Sequence, residues 1–191
     1  MALLVEELRS AFKDEDSITV ETLAALPYLN ACIEEGLRMY PPVPTGLPRK
    51  TPEGGALIGD HWIPEGITTA VTQFAAYRSE DNWYQPYKFL PERWLGKDER
   101  FANDDHTCFQ PFLTGPRNCI GRLRSRSSEV RLLTSFTGRN LAYHEARVLL
   151  CEVLWNFDLE LTKESENWAQ QEMYTLWEKP ALMVKLKPVA R

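Results

Sequence analysis

Apolar positions along the first forty residues recur at helical spacing. Leu4, Val5, Leu8 and Phe12 predict a short helix over Leu3–Phe12. Asp14–Ser17 is a polar break, and a second short helix is expected over Val20–Leu26. Pro27 suits the first turn of a longer helix. Within it Leu29, Ile33 and Leu37 recur every fourth residue, with Tyr40 three further on. Pro41-Pro42 ends it, because proline disfavours the α region for the residue before it. The chain is then rich in Pro and Gly as far as Asp60. Ala56–Ile58 and Ile67–Val71 read as two short strands, with Pro64-Glu65-Gly66 as the turn of a hairpin between them. Gln73–Arg78 is expected to make one or two helical turns.

From Ser79 to about Ile120 the periodicity disappears, although aromatic residues are frequent. Long aperiodic segments are uncommon in compact domains unless they carry function. Asn140–Phe157 is the strongest helix expected, with Leu141, Leu149, Val153 and Leu154 among its apolar positions. The tail, Leu159–Val189, reads as short strands around Asn167–Gln171 and ends in Leu182–Leu186. The fold class expected is mixed α and β, mainly α, with short β-hairpins and one long irregular loop.

A chain of 191 residues fits one domain, 1–191, with a sizeable core. Acidic side chains number 27 against 22 basic ones, for a net charge of −5. That balance argues against a nucleic-acid partner, which calls for a basic surface. No stretch approaches the roughly 18 apolar residues of a membrane span. Met1–Val5 runs into Glu6-Glu7 without the basic start of a signal peptide. The four cysteines, Cys32, Cys108, Cys119 and Cys151, are too scattered for a disulfide scaffold. Each thiol is expected to be buried or to serve as a ligand.

Candidate chemistry gathers in three places. Glu35 and Arg38, three apart on the Pro27 helix, can meet. A helical wheel sets Arg38 opposite the apolar stripe and Glu35 on its flank. That placement alone predicts a solvated ion pair worth a few tenths of a kcal/mol. Pro91-Glu92-Arg93-Trp94 reads by itself as a surface turn, but Arg93 can add a second guanidinium to Glu35. The most informative stretch runs from Phe112 to Gly121, where Gly115 and Gly121 bracket Cys119, with Arg117 two residues before it. Glycine permits close approach of backbone to a bulky ligand, or a positive φ. A cysteine there is either an inert buried thiol, the commoner case, or a thiolate ligand, with Arg117 holding an anionic group. Five residues separate the glycines and no Gly-Lys-Ser/Thr follows, so this is not a phosphate loop. No second cysteine stands at zinc-site spacing. His144-Glu145-Ala146-Arg147 lacks the second histidine of a zinc-protease helix, and His61 and His106 read as surface or turn residues.

In this order and spacing, Glu35-Gly36-Leu37-Arg38, Pro91-Glu92-Arg93-Trp94 and Phe112-x-x-Gly115-x-Arg117-x-Cys119-x-Gly121 resemble the C-terminal portion of a cytochrome P450, a haem-thiolate monooxygenase. The flanks Leu37–Pro44 and Asn140–Arg147 resemble fungal members. The resemblance implies that Cys119 is the axial thiolate on haem iron, which favours O–O cleavage. Gly115 and Gly121 would let the loop lie close under the porphyrin, Phe112 would pack beside the thiolate, and Arg117 would pair with a propionate. Glu35, Arg38 and Arg93 would form a structural triad that overrides the wheel. Val43–Leu47 and the turn Met173–Thr175 would line the substrate pocket. The reaction implied inserts one oxygen atom from O₂ into a small apolar organic substrate, with electrons from NADPH through a flavoprotein reductase. The family is usually tethered to the endoplasmic reticulum; no such tether is visible in this sequence.

Two departures from the family pattern stand out. The resemblance begins partway along the family's chain, so the truncated N-terminal side leaves the distal oxygen-activating helix without a counterpart before Leu3. Residues 123–139 then interrupt a run that in the family passes from the cysteine loop straight into the next helix. This segment is Ser- and Arg-rich, with Arg124, Arg126, Arg131 and Arg139 against Glu129. Gly121-Arg122 recurs as Gly138-Arg139, so its edges can slide. It reads as a short intron translated in frame, or as a genuine surface loop on the face where the reductase docks. A catalytically inactive remnant with weak or no haem binding is the alternative function.

Overall fold

The computed structural model describes residues 1–115, 118–119 and 138–189. Its elements are helices α1 (Ala2–Ala11), α2 (Val20–Ala24), α3 (Pro27–Met39), α4 (Gln73–Ala76) and α5 (Gly138–Asn156), with strands β1 (Arg49–Lys50), β2 (Ala56–Ile58), β3 (His61–Ile63), β4 (Thr68–Thr69), β5 (Phe157–Leu161) and β6 (Val184–Pro188). The segment Ser79–Phe112 is irregular, punctuated by single 3₁₀ turns at Pro91–Trp94, Glu99–Phe101 and His106–Cys108. The class is mixed and mainly helical, as expected.

Helices α1, α2, α3 and α5 share one apolar core. Leu4 and Leu8 of α1, Leu23 of α2, Leu29 and Ile33 of α3, and Cys151, Leu154 and Trp155 of α5 are buried together, with Phe12 closing the edge. Each large side chain removed from water in this way contributes about 1.5–3 kcal/mol. Of the apolar positions expected on α5, only Leu154 is in this core; Leu141, Leu149 and Val153 are exposed. Apolar residues run around this helix, so its sequence alone does not single out a buried face.

Side chains, local for α2 and from α1 for α3 and α5, finish the helix ends. Thr19 caps α2: its hydroxyl accepts from the Thr22 N–H at 3.2 Å, while the Thr22 hydroxyl accepts from the Thr19 N–H at 2.8 Å. α3 has no local cap, and Pro27 at its first position lacks an N–H. Glu7 of α1 supplies the cap instead, accepting from Tyr28 N at 2.9 Å and Leu29 N at 2.7 Å. Arg9 performs the converse service at the far end of α5, donating to the carbonyls of Leu154 and Phe157. A cation there also suits the helix dipole.

The strands pair differently from expectation. β2 pairs with β3, in register Ala56↔Ile63 to Ile58↔His61. The turn is Gly59-Asp60, where Gly59 has φ +57°. β4 pairs with β1 instead, Arg49↔Thr69 and Lys50↔Thr68. The Pro64–Gly66 turn folds back on Thr51, whose hydroxyl donates to Pro64 O at 2.5 Å and accepts from Ile67 N at 3.0 Å. Thr51 therefore routes the chain from one small sheet to the other. His61 is an exposed strand residue and His106 an exposed turn residue. β5 and β6 form the third antiparallel pair, Phe157↔Pro188 to Leu161↔Val184. Asn167–Gln171 itself is turn and loop, and Met173 bridges to Trp177.

Candidate functional site

α3 turns Glu35 and Arg38 toward the irregular segment. Both are 0% exposed, so the solvated pair predicted by the wheel is replaced by a buried one. The reason is tertiary: residues 83–104 wrap over the polar side of α3, which a wheel drawn for one helix does not contain. Arg38 grips the Glu35 carboxylate in a fork, Nη2 to Oε1 at 2.8 Å and Nε to Oε2 at 2.9 Å. Arg93 approaches the same carboxylate through Nε, at 3.2 Å from Oε1 and 3.1 Å from Oε2. The Leu90 N–H and Trp94 Nε1 complete its partners at 2.9 and 3.0 Å. Burial pushes the Glu35 pKa up, but the hydrogen bonds and charge of Arg38, helped by Leu90 N–H and Arg93, outweigh it and hold the carboxyl below its ordinary value.

The guanidiniums spend their other donors on backbone. Arg38 donates to Tyr77 O at 2.6 Å, Pro86 O at 2.8 Å and Lys88 O at 3.1 Å. Arg93 donates to Tyr84 O at 3.0 Å and pairs with Asp104. Asp104 is buried and its other oxygen accepts from Tyr84 N at 2.7 Å. Two carboxylates thus balance two guanidiniums. Glu35, Arg38 and Arg93 come together as the resemblance implies. Asp104 is a fourth member that the sequence reading missed; within Asn103-Asp104-Asp105 nothing separates it from a solvated acid.

Aromatic packing links this cluster to the cysteine loop. The Trp94 ring lies 4.7 Å from Phe109, and Phe109 lies 5.3 Å from Tyr77. The loop begins one residue after Phe109. Leu113 N donates to Gln110 O at 2.9 Å, and Cys119 N donates to Phe112 O at 2.9 Å, closing the loop on itself. Leu113 and Gly115 both have positive φ, +60° and +76°. The leucine is unusual there, and backbone held in such conformations concentrates at functional sites. Among the described residues nothing approaches the Cβ position of Gly115, so its positive φ is what requires glycine here. Phe112 packs on Tyr143 of α5 at 5.5 Å, and the Arg139 guanidinium sits 5.7 Å from the Phe112 ring. Arg117 and Gly121 lie outside the described residues, as does the interruption except for Gly138 and Arg139, which form the first turn of α5.

Cys119 is half-buried and lines a cavity of about 180 Å³ with Phe112, Leu113 and Tyr143. Leu113 and Thr114 also line a second cavity, of about 410 Å³, to which Arg49 brings a guanidinium and Leu47 and Val71 bring apolar surface. Gln73 reaches the same wall, and its Oε1 is buried with no hydrogen-bond partner among the described residues. Arg49 and Gln73 were not singled out in the sequence; only the pairing of β1 with β4 brings Arg49 near the loop. The segments Val43–Leu47 and Met173–Thr175 meet where the Thr45 hydroxyl donates to Thr175 O at 3.4 Å. Trp177 fastens that contact, stacking on Tyr40 at 4.5 Å and donating to Pro41 O at 2.7 Å. Among the described residues no helix is long and apolar enough to cross a membrane.

The family model for cytochrome P450 matches residues 1–130. The chain is 56% identical over 191 residues to the cytochrome P450 monooxygenase efuB of Hormonema carpetanum, covering 100% of this chain and 34% of that protein. It is 48% identical over 187 residues to the cytochrome P450 monooxygenase atr2 of Stereocaulon alpinum, covering 98% and 33%. To the cytochrome P450 monooxygenase FUM2 of Gibberella moniliformis it is 47% identical over 184 residues, covering 95% and 35%. A buried Glu–Arg–Arg cluster behind a cysteine loop, with these likenesses, places the chain in the cytochrome P450 family. It spans about a third of the length of the curated relatives it matches.

Proposed function

We propose that this chain forms the cysteine-bearing side of a haem-thiolate monooxygenase, with Cys119 as the axial ligand to iron. The observation that carries the reading is the Cys119 loop, closed through Phe112 O and fixed from behind by the buried Glu35 cluster. The residues present fit the group. A half-buried thiol beside Phe112, and Arg49 on a wall shared with Leu47 and Val71, suit a large flat ligand with acidic edges. A haem bound through a thiolate supplies oxygen activation.

This chain's own residues hold that centre in place. Phe112 packs beside the loop and excludes water. Gly115, and Gly121 beyond the described residues, permit the loop's course. Arg117 and Arg49 would pair with the acidic edge. Glu35, Arg38 and Arg93 keep the irregular segment seated. Leu47 and the Met173–Thr175 turn would face a small apolar organic substrate, which receives one oxygen atom from O₂. NADPH supplies the electrons through a reductase that docks on the cysteine side. We read residues 123–139 as an interruption of this unit. Its support is that the pair Gly121-Arg122 recurs as Gly138-Arg139, where α5 begins.

The test is the reduced, carbon monoxide-bound absorption spectrum of the purified chain with added haem, beside Cys119→Ala. A thiolate-type Soret band that the substitution abolishes is expected. Spectra that do not differ between the two proteins would overturn the assignment, and a chain that takes up no haem would be the inactive remnant.

A further inference from the structure

α4 is a single turn, yet it captures both backbone polar groups of one residue, Gln110, in the segment leading to Cys119. Gln73, its first residue, is 4% exposed, and its Nε2 donates to Gln110 O at 2.8 Å. Tyr77, the residue after its last turn, is fully buried, and its hydroxyl accepts from the Gln110 N–H at 2.8 Å. The two side chains stand four apart, which sets them on one face of the turn. The helical bond from Tyr77 N to Gln73 O, 2.9 Å, fixes their spacing. Gln110 O is the same oxygen that receives the Leu113 N–H. Leu113 is the positive-φ residue where the chain turns into the loop that Cys119 closes. The Gln110 side chain adds a third tie, donating to Thr107 O at 3.2 Å.

A buried glutamine whose oxygen has no partner among the described residues is costly, because the amide has left water and only half of it is compensated. Leucine or methionine would fill the space without that cost. The bond to Gln110 is what a glutamine does here that an apolar residue cannot. The Tyr77 hydroxyl is similarly specific, since phenylalanine would keep the ring contact with Phe109 and lose only the grip on Gln110 N.

We propose that Gln73 and Tyr77 are positioning residues which, by holding the backbone C=O and N–H of Gln110, fix where the Cys119 loop begins and so where its sulfur points. The functional part of this proposal rests on the haem-thiolate reading; the clamp itself does not. Displacing Gln110 frees the turn at Leu113 and with it the hydrogen bond that closes the loop.

The experiment uses the full chain with Gln73→Leu and Tyr77→Phe. In the haem-free protein, alkylation of each cysteine by iodoacetamide is followed by peptide mass spectrometry. Cys119 is expected to react at least five-fold faster in either variant, while Cys32 and Cys151, in or against the helical core, keep their rates. Cys119 within two-fold of its original rate overturns the clamp, as does an equal rise at Cys32, Cys119 and Cys151. If Tyr77→Phe does not fold, Gln73→Met, which keeps the volume, decides in the same way. In the haem-loaded protein the variants are expected to move intensity from the thiolate-type carbon monoxide band to the non-thiolate one at unchanged haem content. An unmoved ratio overturns the positioning role. A parent chain with no thiolate band refutes the haem reading instead, and the alkylation result still judges the clamp.

Discussion

The two sides of α3 are buried by opposite means. Toward α1, α2 and α5 it presents Leu29 and Ile33, which meet Leu4, Leu8, Leu154 and Trp155 in an apolar core. Toward residues 83–104 it presents Glu35 and Arg38, which are just as buried but hold their surroundings through hydrogen bonds. The helical side repeats, so an apolar stripe can find another stripe. The irregular side has no repeat to match, and its backbone carbonyls and N–H groups have no ladder partners. Arg38 takes two of those carbonyls, besides Tyr77 O at the end of α4, Arg93 takes one, and Glu35 takes the Leu90 N–H. The charged core therefore does for an aperiodic segment what a sheet or helix does for a regular one.

If that contrast holds, the two sides should fail differently. Glu35→Ala leaves two buried guanidiniums short of a counter-charge, and breaking a buried pair from one side costs about 3–5 kcal/mol. We expect loss of soluble, haem-competent protein, seen as a collapsed melting transition and rapid proteolysis within 83–115. Leu29→Ala, on the apolar side, should cost about 2–5 kcal/mol by cavity formation, with helix content falling in urea titration but no preferential cleavage in 83–115. Asp104→Asn removes the second balancing charge while keeping a hydrogen-bond acceptor. It should cost about 1–3 kcal/mol, measured as a lowered urea midpoint at unchanged slope. Glu7→Ala uncaps α3 and should cost about 1 kcal/mol, read by the same titration. Glu160, which meets Lys185 and Lys187 on the exposed β5–β6 pair, should give no detectable shift when changed to Gln.

Acid sharpens the same comparison. The folded pKa of Glu35 lies below its ordinary 4.5. Its stabilising contribution is therefore present above about pH 4.5 and is lost as pH falls through the folded value. Glu34 runs the other way: burial raises its pKa, against the Tyr143 hydrogen bond and the charges of Arg139 and Arg147. Its contribution favours the folded state at low pH and is lost as pH rises through the raised value. Glu35→Gln should flatten the acid limb of the stability curve; an unchanged limb would show that the cluster is not what acid breaks.

The apolar side of α3 was legible in the sequence and the charged side was not, for a physical reason. Leu29 and Ile33 announce their burial by spacing alone. Burial of Glu35 depends on Leu90, Arg93 and Trp94, more than fifty residues away, and local periodicity carries no trace of them. Their chemistry allowed Arg38 and Arg93 to meet Glu35, but it took the three motifs in series, compared with a family, to draw them together as a buried triad. Asp104 stayed hidden even then, as did Glu7, whose capping role exists only because α1 crosses the start of α3. The missed β2–β3 pairing has a local cause. Gly59-Asp60 forms the two-residue turn, but the stronger turn signal at Pro64–Gly66 drew attention to a bend that serves Thr51 instead. Phe112 and Cys119 were visible as chemistry, whereas Gln73 and Tyr77 looked like ordinary members of a short helix.

The most direct test of the account is iron X-ray absorption on the haem-loaded chain beside Cys119→Ala. The account predicts one sulfur scatterer bound to iron, missing in the variant. Iron surrounded only by nitrogen and oxygen in the unaltered chain would contradict it.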